Sequence, residues 1–560
     1  MKKSFKYISL LFLVSLLGCT DIIDLNSESN IVQENYFTNY SELQEGLTAC
    51  YNGLQKPLTY EWILTELRSD NTIMDGGTST SVVNNDLGFI DQFYPPTIHE
   101  GIKNYWLLTY NNIRNANVVL TAVGASYTAP TTVGGNDGNI DIATDLPNAT
   151  LDQRKKIAAE ASFIRAYHYF NLIRLFGTEA IPKGGVFLLD RVISPEAAKQ
   201  LNRSSVTEIY DLIIADLKNA VLNGSTDPYS VKTPDQLGHA NSWAARALLG
   251  KVYLTLGDKT LATATLLPVI ANTSGYALET SSYANVFAVN NEMNKEILFA
   301  IRFKGGGVGM GNPLPNLFAP TNSGSFVIKG DGKGYNTPTT ELAINLKTNP
   351  TTFSYTDPSA ARALVNYNSY STSDVYVNKF MSRPFLANDA ENDFPVLRYA
   401  DVLLMLAEAG GSNATSLGYI NSVRSRAGLA ALKIADISAV TTKTFTAISS
   451  GTTTIVVEYP LFEKVLSDER RYEFAFENQR WFDLLRFKKT FTTLNAESVM
   501  KFHFVSQYDA IYKGFTVLPV TLDELLGNVI NNNNARFVLP IPQYEIDTNT
   551  QVQIEQNPSY

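Results

Sequence analysis

The stretch Phe394–Leu429, FPVLRYADVLLMLAEAGGSNATSLGYINSVRSRAGL, decides the fold of this chain. Its apolar residues predict a first helix over Val396–Ala409 that is buried on nearly every side. A Gly/Ser/Asn turn follows. A second helix then carries apolar side chains at spacings of three and four residues and ends at Gly428, a residue suited to the left-handed position after a helix. The stretch therefore predicts a buried helical hairpin in the middle of a helical core.

Three charged residues, Arg398, Asp401 and Glu408, share one stripe of the first predicted helix. Charges on so apolar a helix need partners at the same depth, because an unpaired buried charge is costly. The segment Asp468–Glu477 offers such partners, so we expect the two segments to face each other. The predicted structural ion-pair network consists of Arg398, Asp401, Glu408, Glu469, Arg470, Arg471 and Glu473.

The same segment also raises the question of catalysis. Glu469, Glu473 and Glu477 recur every four residues, and a retaining glycoside hydrolase needs two carboxyl groups about 5 Å apart. The interleaved arginines explain the pattern without a substrate, so the ion-pair network is the preferred interpretation and a surface glycoside hydrolase is the alternative. No nucleophile motif such as G-x-S-x-G stands out. We predict that the chain is not an enzyme.

Two other segments, Ala158–Gly177 and Gly238–Gly257, align with each other without gaps. Small residues such as Gly250 and large ones such as Leu266 fit a tetratricopeptide-type repeat, where two helices pack closely at the small residues. The predicted fold class is therefore mainly α, with tetratricopeptide-like helix pairs as a scaffold for long loops and a few short strands.

The remaining periodicity predicts helices at about Asn39–Gln55 and Ile102–Val123, separated by a loop over Asp70–His99. A buried strand is expected at Glu296–Lys304. From Leu461 the pattern predicts one kinked helix or a close pair of helices. The C-terminal tail is predicted to be a short strand, a proline turn and a trailing segment.

Length and composition limit the classes of function. The 560 residues carry a net charge of −9 without any Lys/Arg-rich run, which argues against a nucleic-acid partner. There are two cysteines, so a disulfide framework is not expected, and Cys50 is predicted to be an inert buried thiol. No disordered-looking linker divides the chain, so one compact structural unit is expected.

The amino terminus predicts secretion and lipidation. After the basic start MKKSFK, the apolar run Ile8–Leu17 is too short to span a bilayer as a mature helix. The following LLGC ends at Cys19 and resembles a bacterial lipobox. Removal of the signal peptide, residues 1–18, would leave Cys19 to carry palmitate-type acyl chains that hold the protein on a membrane. A plain signal peptide that contains a cysteine is the alternative.

Two polar loops contain ligand-like residues but not the complete motifs. Gly305–Gly311 follows a predicted strand, as a nucleotide loop does, but Pro313 and Pro315 should prevent the helix that would hold phosphate. Asn136–Asp145 has oxygens suited to calcium but lacks the twelfth-position Glu of an EF-hand loop. A structural calcium ion there is left open, and no other metal or cofactor is expected because the histidines are isolated.

Aromatic side chains on two predicted loops suggest a sugar-binding surface. Sugar recognition uses flat aromatic faces together with Asn, Asp or Arg side chains that reach hydroxyl groups, and both loops contain such residues. The alternative is that these aromatics simply cover the core. The expected ligand-binding residues are Phe89, Phe93 and Tyr94 on the first loop and Phe318, Phe326 and Tyr335 on the second.

Several segments together resemble the SusD/RagB family. They are Glu160–Gly177, Phe394–Ala409, Ile420–Leu429, Glu469–Arg486 and the ending Leu539–Tyr560, together with the lipobox at Cys19. The resemblance covers essentially the whole mature chain and divides it into an N-terminal half, 19–235, and a C-terminal half, 236–560. Departures are small: Asn478 stands where the family usually has Gly, and Ser559 replaces the usual Gly before the final Tyr.

The resemblance implies about four tetratricopeptide-like helix pairs beneath a loop-rich ligand face. It also implies an outer-membrane lipoprotein of Bacteroidetes that faces the cell exterior and touches the membrane through its lipid anchor only. Such a protein caps a TonB-dependent, SusC-like transporter and captures oligosaccharides, or in some members peptides, for import. A structural scaffold without a small ligand remains a further alternative.

Overall fold

A computed structural model describes most of the chain between residues 36 and 560. The described residues are 36–74, 82–233, 236–321, 323–347, 360–370, 375–382, 384–438, 442–449, 451, 453–514, 521–530, 535–549 and 551–560. The predicted signal peptide and the predicted lipidation site, Cys19, lie outside the described residues.

Helices dominate the described part of the chain. They are α1 Tyr40–Asn52, α2 Gln55–Leu64, α3 Val82–Asp91, α4 Glu100–Ala122, α5 Leu151–Phe176, α6 Pro195–Ala198, α7 Val206–Asn223, α8 Ser242–Leu256, α9 Lys259–Ile270, α10 Leu314–Phe318, α11 Thr340–Lys347, α12 Ala360–Asn366, α13 Tyr399–Gly410, α14 Ala414–Arg426, α15 Leu461–Glu473, α16 Arg480–Thr490, α17 Ala496–Gln507, α18 Leu522–Ile530 and α19 Gln543–Thr548. None of them combines the length and apolar composition needed to cross a membrane.

The strands are short and form two-stranded antiparallel ladders. They are β1 Thr72–Ile73, β2 Ala125–Thr128, β3 Asn139–Ile142, β4 Ile297–Ile301, β5 Thr337–Pro338, β6 Tyr367–Ser369, β7 Val375–Val377, β8 Phe394–Arg398, β9 Thr442–Ser449 and β10 Thr453–Pro460. The partners are β1 with β5, β2 with β3, β4 with β8, β6 with β7 and β9 with β10.

The scaffold is a continuous stack of helix pairs. Helix α1 packs on α4, α5 on α7, α8 on α9 and α13 on α14, and successive pairs touch through α4–α5, α7–α8 and α9–α13. One large cluster of buried apolar side chains runs through both halves of the chain, from Leu43 on α1 to Ile554 in the tail. The predicted mainly α fold with tetratricopeptide-like pairs is confirmed.

Local sequence fixes where several of these helices begin and end. Asn39, Thr150 and Ser205 each accept a backbone N–H three residues ahead, and the side chain at that position bonds back to the cap. Helix α8 stops at Gly257, which has a φ of 87° that a side chain would disfavour. Capping therefore explains these boundaries without tertiary contacts.

The quoted stretch Phe394–Leu429 is a helical hairpin, but it begins with a strand. Helix α13 starts at Tyr399 rather than Val396, and β8 before it pairs with β4, the strand expected at Glu296–Lys304. The helix start was predicted wrongly because β8 is largely buried on both sides. A short apolar run of that kind cannot be distinguished from a buried helix by periodicity.

Two further segments differ from the sequence prediction. The expected loop over Asp70–His99 contains α3, and the trailing segment of the tail contains α19, while the described residues 535–549 include no strand. The segment after Leu461 forms a close pair, α15 and α16, which is one of the two arrangements that the pattern predicts. Between these two helices Phe476 and Asn478 have φ values of 68° and 58°, and this left-handed conformation ends the first helix.

Gly250 lies where α8 and α9 approach most closely, as the repeat pattern suggested. A Cβ atom at Gly250 would be 2.4 Å from Leu266 Cγ. We therefore expect Gly250→Ala to lower the free energy of unfolding by about 1–3 kcal/mol through overpacking, although alanine is the better helix former. Urea denaturation followed by circular dichroism measures the change.

The matched control is Gly418 on α14, which is exposed and where a Cβ atom would meet no described atom within 4 Å. Gly418→Ala should stabilise the protein by about 0.4–1 kcal/mol through helix propensity and chain entropy. Equal effects of the two substitutions would contradict the close packing of α8 on α9.

Candidate functional site

Arg398, the first charged residue of the predicted stripe, is paired where β8, α13 and α15 meet. Arg398 donates through Nη1 to Glu473 Oε1 at 2.8 Å and to Glu296 Oε1 at 2.6 Å. Its Nε and Nη2 reach the two carboxylate oxygens of Glu477, both at 2.8 Å. All four side chains are fully buried or nearly so. This guanidinium therefore joins three acidic side chains inside the core.

The two other charges of the stripe are also paired. Asp401 accepts from Arg470 at 2.8 Å and lies 2.6 Å from Lys251 Nζ. Glu408 receives two hydrogen bonds from Arg486, at 2.9 and 2.8 Å. We expected all three charges to pair with the Asp468–Glu477 segment. Glu408 instead pairs with Arg486 on α16.

The remaining predicted members of the network are also paired. Glu469 accepts from Arg362 at 2.6 Å and from Arg424 at 3.2 Å. Arg471 lies 3.2 Å from Asp70 and 3.1 Å from Glu341. Sequence analysis missed Arg362, Arg426, Glu296, Lys379 and Asp70 as members of this network. Each stands alone in the sequence and reaches the network only through the tertiary fold.

Three arginine side chains, rather than one, donate hydrogen bonds to the carboxylate of Glu473. Its Oε2 accepts from Arg362 Nη2 at 2.8 Å, and its Oε1 accepts from both Arg398 and Arg426. Burial alone would raise the pKa of Glu473, but the surrounding guanidinium groups lower it to about 2. The carboxylate therefore stays ionised in the folded protein and serves as a structural anion.

We expect Arg398→Met to lower the free energy of unfolding by about 3–5 kcal/mol, because it leaves buried carboxylates without their shared partner. Urea denaturation at pH 7 measures the loss. The control is Lys501→Ala, which removes the partly exposed pair with Glu497 on α17 and should cost about 0.5 kcal/mol or less. A loss below about 1 kcal/mol for Arg398→Met would contradict the proposed importance of this network.

The lowered pKa of Glu473 also predicts a pH dependence. Its folded-state pKa of about 2 lies below the ordinary value of 4.5, so its stabilising contribution is present above about pH 4.5. The contribution is lost as the pH falls toward 2. In urea titrations between pH 5 and pH 2, Glu473→Gln should start less stable and depend less steeply on pH than the parent. An unchanged slope in Glu473→Gln would contradict this assignment.

The six predicted ligand aromatics do not share one environment. Phe93 is fully buried, with Trp481 at 5.2 Å between ring centroids and Phe537 at 5.9 Å. Phe318 is also buried and meets Trp62 edge-on at 5.3 Å. The expectation that these two rings face a ligand is corrected. Phe93 lies just after α3 with a φ of 58°, and the turn directs its ring into the core.

The other four aromatics lie at or near the surface. Tyr94 is 53% exposed, and the Arg536 guanidinium lies 4.4 Å from its ring centroid. Tyr335 is half-buried and stacks on Trp62. Phe89 is half-buried on α3, and Phe326 is 80% exposed. Among the six, Phe326 presents most of its ring to solvent.

The two predicted ligand loops leave from one ladder. Strand β1 pairs with β5 through Thr72 opposite Pro338 and Ile73 opposite Thr337. The backbone N–H of Met74, immediately after β1, donates to Asp91 Oδ2 at 3.0 Å. Strand β1 and the residues that follow Tyr335 therefore lie side by side, although more than two hundred residues separate them in the sequence.

Asn316 ties the second loop to a third segment. Its Nδ2 donates to the carbonyl oxygens of Lys329 and Asp331, at 2.8 and 2.9 Å, and its Oδ1 accepts the N–H of Asn388 at 2.8 Å. Asn316 lies in α10, a five-residue helix that forms although Pro313 and Pro315 were expected to prevent one. Proline is tolerated in a first helical turn, where N–H groups have no helical partner.

The glycine cluster Gly305–Gly311 is held by the same third segment. Asp389 Oδ2 accepts the N–H groups of Gly306 and Gly307, both at 2.8 Å. These N–H groups already bind a carboxylate of the protein, which agrees with a surface loop rather than a phosphate-binding loop. Val308 and Met310 on this loop are exposed.

Phe385 is the surface residue that sequence analysis missed. It is 89% exposed and lies two residues before Ala387, which abuts Gly330 of the second loop. A Cβ atom at Gly330 would lie 2.2 Å from Ala387 Cβ. The aromatic and apolar residues on these three joined segments, which we call the loop face, are Val308, Met310, Phe326, Phe385 and Leu386. No motif marks Phe385, and only its exposure distinguishes it.

In the loop Asn136–Asp145, which was considered for calcium, aspartate oxygens accept hydrogen bonds from other residues of the protein. Asp137 accepts from the N–H and the hydroxyl of Thr131, at 3.2 and 2.6 Å, and Asp141 accepts from Thr128 at 3.0 Å. Across the described residues, no group of three or more His, Cys, Asp or Glu side chains is arranged to hold a metal ion.

Comparison with known proteins identifies the family. The family model described as "SusD family" matches residues 283–560, and the model described as "Starch-binding associating with outer membrane" matches residues 23–254. The chain belongs to the SusD family. SusD-like protein P25 of Formosa agariphila is 24% identical over 566 residues, which cover 94% of this chain and 96% of that protein.

Solved SusD-family structures share the fold of this chain. A laminarin binding SusD-like protein superposes with a TM-score of 0.65 at 23% identity, covering 93% of this chain and 100% of that one. Surface glycan-binding protein A from Bacteroides thetaiotaomicron, in complex with laminarihexaose, superposes with a TM-score of 0.64 at 16% identity, covering 92% and 99%. At these identities the likeness establishes the architecture of this SusD-family chain.

Proposed function

We propose that this protein binds an oligosaccharide at the loop face and delivers it to a SusC-like, TonB-dependent transporter. The observation that carries the proposal is the pair of rings Phe326 and Phe385, which are 80% and 89% exposed on segments fixed by Asn316. Exposed apolar side chains gathered on segments that are tied together mark a candidate ligand surface.

The physical basis is the amphipathic character of a sugar ring. Its C–H face is apolar and can lie on an aromatic ring, while its hydroxyl groups need polar partners at the edge. The loop face also includes glycines at which a ligand can approach the backbone closely, because no described atom lies within 4 Å of the Cβ position at Gly306, Gly309 or Gly324. A peptide ligand, which some SusD-like proteins take, needs a more continuous backbone edge and is the second choice.

The proposed role is binding without catalysis. The three carboxylates that suggested a glycoside hydrolase, Glu469, Glu473 and Glu477, are each paired with arginine or lysine and are fully buried or nearly so. A substrate would have to displace those cations from the core. The arrangement therefore supports a structural role for this trio and leaves the hydrolase alternative without its candidate residues.

The proposed location is the outer membrane, with Cys19 lipidated and the loop face toward the exterior. The lipobox at Cys19 and the family description that names the outer membrane support this placement. An anchor at the start of the chain leaves the helical stack free to contact the transporter. Acyl chains alone would then hold the protein on the membrane.

Phe326→Ala and Phe385→Ala test the ligand site. Laminarihexaose, the ligand in one solved relative, is the first probe for calorimetry, followed by starch and mannan oligosaccharides. Each substitution should weaken binding about fivefold or more, on the order of 1 kcal/mol for one lost ring contact. The matched control is Tyr544→Ala, which removes a half-exposed ring on α19. It should leave binding unchanged.

Two outcomes would contradict the proposal. Unchanged affinity in both phenylalanine variants would place the ligand elsewhere. Failure of the parent protein to bind any oligosaccharide, with binding of peptides or of nothing, would favour the peptide or scaffold alternative. Hydrolysis of the probe by the parent, detected by chromatography, would support the enzyme alternative instead.

A further inference from the structure

A pocket of about 270 Å³ lies beneath the β9–β10 hairpin. One wall carries Phe445 and Tyr459, whose ring centroids are 5.7 Å apart at an angle of 42°. The other wall carries Phe502 and His503 on α17. Neither Phe326 nor Phe385 lines this pocket, so it is distinct from the loop face.

The charged residues that line the pocket are paired with one another. Asp70 accepts from Arg480 at 2.7 and 2.9 Å and lies 3.2 Å from Arg471. Arg471 also reaches Glu341 at 3.1 Å, and Lys464 pairs with Asp468. Three carboxylates thus face three cations. A charged ligand would find no spare partner of opposite sign, so the pocket favours an uncharged one.

Unlike these paired charges, two neutral polar atoms of the lining residues have no partner in the described part of the chain. Tyr459 Oη and His503 Nδ1 are buried and have no hydrogen-bond partner among the described residues. Burial raises the pKa of the Tyr459 hydroxyl. An unpaired buried polar group costs about 1–3 kcal/mol, so these atoms gain from a ligand that supplies hydroxyl groups.

The histidine is held so that one nitrogen remains available. His503 Nε2 lies 3.1 Å from Tyr512 Oη, which in turn donates to Asp91 Oδ1 at 3.1 Å. Burial lowers the pKa of His503 to about 4, so the ring is neutral at pH 7. With Nε2 engaged by Tyr512, Nδ1 is the atom left for a partner. Because the Tyr512 proton goes to Asp91, Nε2 of the neutral ring donates to Tyr512 Oη, and Nδ1 can accept a hydrogen bond from a ligand hydroxyl.

We propose that this pocket binds a single uncharged pyranose ring. The aromatic walls suit its apolar face, the two unpaired polar atoms suit its hydroxyl groups, and the balanced charges exclude a charged competitor. The volume lies below the range of about 300–1,000 Å³ that larger ligands occupy, so one ring rather than a chain fits. Phe445, Lys464 and Glu341 are partly exposed and form the mouth.

Titration with D-glucose, D-mannose and D-galactose, each separately, tests the proposal on the mature chain. Saturation-transfer NMR detects binding in solution, and calorimetry gives the affinity. Tyr459→Phe removes one hydroxyl group and keeps the ring, and it should weaken binding about three- to tenfold. The matched control is Tyr105→Phe, because the Tyr105 hydroxyl is also buried and lacks a described partner but does not line this pocket.

Val499→Trp provides a second test because it fills the pocket without removing either polar atom. It should abolish binding of the hexose, and thermal unfolding by circular dichroism verifies that the variant is folded. Absence of binding by all three hexoses, or equal affinity in the parent, Tyr459→Phe and a folded Val499→Trp variant, would overturn the proposal. Water alone would then satisfy Tyr459 and His503.

The two binding proposals can fail independently. Phe326→Ala and Phe385→Ala should leave hexose binding unchanged if the pocket is a separate site. Loss of hexose binding in those variants would overturn the pocket and assign the signal to the loop face. Failure of the parent to bind any oligosaccharide would remove the proposed function while leaving the hexose result to decide the pocket.

Discussion

The carboxylate of Glu473 is the point on which the C-terminal half of the structure depends. It accepts hydrogen bonds from Arg362 on α12, Arg398 at the end of β8 and Arg426 on α14. A buried carboxylate must be paired to be tolerated, so these elements have to converge on α15. The carboxylates of Glu469, Glu473 and Glu477 are all held in such pairs inside the core.

A core fixed in this way leaves the loops free to carry function. The β1–β5 ladder, Asn316 and Asp389 hold the long segments by hydrogen bonds to backbone groups. Such bonds constrain the path of a loop without prescribing the side chains at its tips. Phe326 and Phe385 can therefore project into solvent at little cost to the scaffold. In the proposed function, the helical scaffold and the ligand face are therefore separate parts of the chain.

The pocket under the hairpin also contains buried charges that are paired within the protein. Its charged pairs join α15 and α16 to Asp70, which lies beside β1, and to Glu341 on α11. The two buried atoms without a described hydrogen-bond partner, Tyr459 Oη and His503 Nδ1, belong to neutral groups. Charge is compensated inside the protein and only neutral hydrogen-bonding capacity is offered to a ligand. The ion-pair network and this pocket share Arg471, so the element that stabilises the core also shapes the cavity.

The sequence by itself determined the mainly α fold, several helix caps, the close helix contact at Gly250 and the need for partners around Arg398. These features depend on local periodicity or on the residue itself, and both can be seen along the chain. Only the tertiary structure decided that Phe93 is buried and Phe385 exposed, and that Arg362 meets Glu473 across 111 positions. Exposure and distant pairing depend on how elements pack, and a single sequence contains no local signal for that packing.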